Sequence, residues 1–136
     1  MDFITNTLLT EQKEPSKDFS EMISILLHSR TQIHTYHWQT KSYAEHIALN
    51  GYYDGIVPLV DGLVESYQGK YEMLKGFKNY TINEYKSTNE TVKYLKGVFS
   101  KIEKLRKSCK DSYIQNQIDT VQELISSTLY KLRFLS

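Results

Sequence analysis

One cysteine, two prolines, six glycines and one tryptophan are all that the 136 residues hold of these types. A lone Cys109 can form no intrachain disulfide framework, which fits a reducing, intracellular setting. So few glycines and prolines argue against a many-stranded β fold, which needs a turn every few residues. No run of ~20 apolar residues occurs, so no membrane-spanning segment and no membrane partner are expected. Asp2 and the absence of a signal-like apolar run near the start lead to the same expectation, a cytoplasmic protein. Net charge is also small: 17 Lys and Arg face 16 Asp and Glu, for a net +1. The opening MDFITNTLLTEQKEPSKD sets Lys13 and Lys17 against Asp2, Glu11, Glu14 and Asp18, so it is no basic arm. DNA is therefore not an expected partner, because phosphate binding normally requires a basic patch or tail.

What is present is helical periodicity. The length suits one domain, with residues 1–15 as a flexible arm and 16–136 as the folded unit. Phe19, Ile23, Leu26, Ile33 and His37 recur at helical spacing, with Arg30 on the same stripe. A second segment runs from about Tyr43 to Phe77, keeping Leu49, Tyr53, Ile56, Val60, Leu63, Tyr67 and Leu74 on one face. Pro58 lies inside it, but the stripe continues in phase, so a kinked rather than a terminated helix is expected. KNYTINEYKSTNE reads as a connection, with room for one short helical turn. Ser87 and Glu90 form a capping-box pattern ahead of Val92, Leu95, Phe99, Ile102, Leu105 and Cys109. Asp111 or Ser112 can cap a fourth helix carrying Ile114, Ile118, Val121, Ile125, Leu132 and Leu135. The fold class is thus all-α: a four-helix bundle with a long connection between helices 2 and 3.

Two features of the second helix go beyond packing. Gly51, Gly55, Gly62 and Gly69 lie with Ala48 and Ser66 away from the apolar stripe, a seam that either admits another backbone or is tolerated on an exposed face. His46, Asn50, Val57, Asp61 and Glu65 share one arc, joined by Asp54. Asp61 and Glu65 are spaced i,i+4, so both carboxylates point the same way and can grip one cation. Such a pair is also common on plain solvated faces. His46 and Asp61 are fifteen residues apart, about 22 Å along a helix, too far to share a metal within one chain. Across a two-fold axis with this helix antiparallel to its copy they could meet, with His37 joining His46.

His37-Trp38, then His46, then Asp61-x-x-x-Glu65 resemble the signature of the Dps-like mini-ferritins, which implies that the bundle is a ferritin-like four-helix bundle. The likeness is best over Thr31 to Ser66 and looser along the rest of a short, divergent chain. It implies an iron site between two-fold mates: His37 and His46 from one copy, Asp61 and Glu65 from the other, Asn50 at a further ligand position and Trp38 beside the site taking up oxidising equivalents. It further implies hollow dodecamers that oxidise Fe²⁺ with peroxide and retain the ferric product, in the cytoplasm of a bacterium or a phage-infected cell. Imidazole with carboxylate suits iron. The departures are specific. Asn50 stands where family members generally carry an acid, and the interval from His37 to His46 is about three residues shorter than usual. Ser66 stands where an arginine commonly follows the glutamate, and a lysine-rich tail is missing. The alternative is a bundle kept for assembly without iron chemistry. His34 with His37 is another i,i+3 metal pair.

Overall fold

The computed structural model describes residues 17–135. The expected arm, residues 1–15, lies outside the described residues. Four helices follow in order: α1 (Lys17–Gln39), α2 (Tyr43–Lys70), α3 (Thr88–Arg106) and α4 (Ser112–Phe134). They form an all-α four-helix bundle in which α1 packs on α2 and α3, and α4 on α2 and α3. No strand occurs among the described residues. None of the described helices is long and apolar enough to cross a membrane.

The stripes become the core. Ile23, Leu26, Ile33, Leu49, Ile56, Leu63, Leu95, Ile102, Ile118 and Ile125 are buried. Removing this much apolar surface from water at ~25 cal/mol per Å² is the main force holding the helices together. Arg30 leaves the stripe and stays exposed, as does Leu135, which caps the end of α4. α2 runs unbroken through Pro58, where the missing donor leaves one backbone bond unmade without ending the helix. Ser42 caps α2 by accepting the Glu45 N–H, and Ser87 caps α3 by accepting the Glu90 N–H. Asp111 occupies the N-cap of α4 without a capping bond, because Lys70 and the Tyr71 hydroxyl take its carboxylate.

Two expectations for α2 are corrected. The helix stops at Lys70, not near Phe77. Gln68 takes the Leu74 N–H through its side chain, and Leu74 still buries, so the apolar phase outlives the helix. The glycines do not seat another backbone among the described residues. An added Cβ at Gly55 would lie 3.2 Å from the Leu124 side chain of α4, while at Gly62 the nearest atom is Gln117 Nε2 at 3.9 Å. Gly51 and Gly69 face open space.

The long connection, residues 71–87, contains no helical turn. It lies along α1 as a strap, climbing in the same direction, and polar residues of α1 clip its backbone at intervals. Ser20 donates to the Lys75 carbonyl, the Lys78 N–H donates to Ser24 Oγ, and His28 Nε2–H donates to the Thr81 carbonyl. Gln32 makes two bonds to Asn83, and Gln39 accepts the Tyr85 N–H. A segment without ladder partners of its own thus has its backbone groups satisfied by side chains. Gly76 takes a φ of 79° within it, a conformation that glycine adopts without a Cβ clash.

Candidate functional site

The turn between α1 and α2 spans residues 40–42 only, so the end of one helix and the start of the next lie side by side. His37 and His46 use this in a reciprocal way. His37 Nδ1 lies 2.7 Å from the His46 carbonyl, and His46 Nδ1 lies 2.9 Å from the His37 carbonyl. A carbonyl oxygen only accepts, so both imidazoles carry their proton on Nδ1 when neutral. The rings stack with centroids 3.6 Å apart. Each ring's lone pair is therefore on Nε2, the arrangement in which metal-binding histidines are usually oriented, with the Tyr53 hydroxyl 3.5 Å from that of His37. His28 shows the contrast: its Nε2 donates to Thr81 and its Nδ1 accepts from the Tyr94 hydroxyl at 2.7 Å, so neither nitrogen remains.

Around this pair sits a ring cluster. Trp38 is 68% exposed, with its indole 4.2 Å from the His34 ring. His34 in turn stacks on Tyr53 at 3.9 Å. Burial first, then the Arg30 charge, lowers the His34 pKa from its ordinary value, with Asp54 opposing. The Tyr53 hydroxyl lies 3.5 Å from His37 Nε2 and donates to Asn50 Oδ1 at 2.9 Å. Asn50 Nδ2 donates to Asp54 at 2.8 Å. Asn50 therefore spends both ends of its amide on its own helix, and its oxygen reaches a metal only if Tyr53 lets go.

Asp61 and Glu65 are exposed on the same outward side of α2, one turn apart. They border a groove of about 260 Å³ lined by Ile23, Leu27, Val60, Val64 and Phe77. Among the described residues no group of three or more His, Cys, Asp or Glu side chains is gathered within one chain. The structure thus brings His37 together with His46 and leaves Asp61 with Glu65 at a distance along α2. A larger hollow of about 580 Å³ lies on the other flank of α1, against the strap and α3, and includes none of these four residues.

Periodicity placed Tyr53 on the apolar stripe and gave it no part in the site, and it did not single out Glu45. Glu45 is fully buried, and its Oε1 accepts from Thr40, Tyr85 and Thr88 at 3.1, 2.9 and 2.6 Å. It therefore ties the α1–α2 turn, the end of the strap and the start of α3 together directly beside His46. Its Oε2 is buried without a partner. The only signal in the sequence was the capping position after Ser42, which accounts for its backbone and not its carboxylate.

Fold and junction together define a four-helix bundle with a paired-imidazole corner. The chain belongs to a family of unknown function (DUF5856), which it matches over residues 37–132, from the first of the paired histidines almost to the end of α4. No curated protein and no solved structure matches it.

Proposed function

We propose that the protein is a Dps-like mini-ferritin that binds and oxidises Fe²⁺ at a site completed by two copies of the chain. One copy supplies His37 and His46, and the other supplies Asp61 and Glu65. The observation that carries this reading is the reciprocal imidazole–carbonyl bonding, which fixes both tautomers and puts the lone pair of each ring on Nε2. The donor set fits iron: two neutral imidazoles hold the ferrous ion, and two carboxylates favour the ferric product. Iron is the substrate. Two ferrous ions each give one electron to one hydrogen peroxide, the O–O bond breaks, and two hydroxides form. The chain's own residues bind the ions, orient them and place Trp38 beside them. Assembly about the two-fold axis into a hollow oligomer of twelve, retention of the ferric product and a cytoplasmic location belong to the same reading.

The test is Fe²⁺ oxidation followed by near-ultraviolet absorbance, with peroxide and with air, for the wild type beside Asp61→Ala/Glu65→Ala. A fall of at least ~100-fold, with helical content and oligomer mass unchanged, is expected, since losing even an outer-shell partner of a metal ligand costs 10–100-fold. Equal rates in the two proteins would remove the shared site. One observation favours a second reading, an assembly protein without iron chemistry: the Asn50 oxygen is already held by Tyr53. A wild type no faster than buffer would select it.

A further inference from the structure

We propose that the trough between α1, the strap and α3 is a binding site for an uncharged, planar aromatic molecule that carries a carbonyl group. It is the hollow of about 580 Å³ described above, within the size range of small-molecule sites. It holds none of the four residues proposed for iron, so binding there does not depend on that reading. Ile25 of α1 and Val98 of α3 give it an apolar floor. The walls are rings from three elements. Tyr80 of the strap and Tyr94 of α3 stand edge-to-face with His28 of α1, at 5.7 and 5.6 Å, and Tyr94 meets Tyr36 at 6.3 Å. Between His28 and Tyr36 α1 rises about 12 Å, the length of two or three fused rings. A flat π-system can stack or stand edge-on against such walls.

Polar groups on the walls narrow the class. His28 bonds through both ring nitrogens, and the Tyr94 hydroxyl is one of its partners. Tyr36 is different: it lines the trough with only 6% of its surface exposed, and its hydroxyl has no partner among the described residues. Burial, then the Glu90 charge, raises its pKa, so it stays a donor and calls for an acceptor such as a carbonyl oxygen. Charge narrows the class further. Glu21 and Lys101 pair at 3.2 Å at one end of the trough. Glu90 and Lys93 stand toward the other, in no ion pair among the described residues. Two acids thus balance two bases, and neither an anion nor a cation is favoured over an uncharged molecule.

Gly97 keeps the trough open. It is the only glycine of α1, α3 and α4, and it lies in the interior of α3, where glycine destabilises a helix relative to alanine. A Cβ added there would meet nothing within 4 Å, so packing does not require the glycine. A longer side chain on a helix leans back over the preceding turn. At position 97 it would reach toward Lys93 and Tyr94 and roof the trough.

Isothermal titration of the full chain with naphthamide, which is uncharged, planar and carbonyl-bearing, tests the proposal. It should saturate at one molecule per chain. Gly97→Leu should weaken binding at least ~10-fold, while its urea midpoint stays level or rises. Tyr36→Phe removes the hydroxyl alone and should weaken binding about 3- to 10-fold, the worth of one neutral hydrogen bond. Naphthoate and naphthylmethylammonium have nearly the same shape but opposite charges, and each should bind at least ~10-fold more weakly than the amide. A wild type that naphthamide does not saturate overturns the proposal. So does binding that Gly97→Leu or Tyr36→Phe leaves unchanged, or a charged analogue as tight as the amide. A trough covered by a second copy would instead give a concentration-dependent mass that Gly97→Leu alters, with no saturable titration, and that too rejects the small molecule.

Discussion

Along the outward side of α3 stand Lys93, Lys96, Ser100, Lys101 and Lys104, and along the middle of α4 Glu123, Ser126 and Ser127. The outward side of α1 and α2 carries Leu27, Trp38, Ile47 and Val57 instead. Both hairpins contribute to one core, so folding of a single chain does not account for the difference. The second hairpin follows the rule that charged groups meet water and apolar groups meet the interior, with large exposed aromatics only near the ends of α4, at Tyr113, Tyr130 and Phe134. The first hairpin departs from it in the helices that also carry the paired histidines and the paired acids. The two-fold contact of the proposed function would lie on this face.

That contrast can be broken at its largest point by Leu95→Ala. Leu95 is fully buried in the second hairpin, and the substitution should cost about 2–5 kcal/mol in urea unfolding. A smaller effect is expected where the hairpins are latched together. Burial alone would raise the Asp111 carboxyl, but the hydrogen bonds from Lys70 and Tyr71 outweigh it and hold the carboxyl below its usual range. A depressed folded pKa means the latch stabilises above the unfolded value, about 3.9, and is lost as pH falls through the folded one. The urea midpoint of the wild type should therefore drop below about pH 4 more steeply than that of Asp111→Asn. Parallel curves would show that the latch is idle. The smallest effect should come from Val57→Ser on the exposed face of α2. Measured at concentrations where the chain is monomeric, it should shift unfolding by no more than about 0.5 kcal/mol. A cost close to that of Leu95→Ala would erase the distinction between the two hairpins.

The stripes that build the core were legible because burial in a helix repeats every three to four residues. The cap at Ser87 was legible because its chemistry is local. The end of α2 was not, since Leu74 keeps the phase of the helix after the helix has stopped. Nor was the strap. Ser20, Ser24, His28, Gln32 and Gln39 look like an ordinary polar face, and only the arrival of residues more than forty positions later makes most of them interior. His28 thereby gains a structural task that no spacing announced. At the candidate site, the sequence paired His37 with His46 and Asp61 with Glu65. It could not reveal that each imidazole bonds the other's carbonyl, because that depends on how tightly residues 40–42 turn. Tyr53 was read as a core position, yet it is half-buried and reaches Asn50.

The strap also reverses the ordinary expectation for long connections, which usually absorb insertions and deletions without harm. From Ser20 to Gln32, α1 advances about 18 Å, at 1.5 Å per residue. The strap covers that same rise between Lys75 and Asn83, at a pace between those of helix and strand. Its clips act like the teeth of a belt on a rack. One residue added or removed near Gly76 would put the bonds at Thr81, Asn83 and Tyr85 out of step with His28, Gln32 and Gln39 at once. Length variation is therefore better accommodated in the turn after α3 than in the longest connection of the molecule.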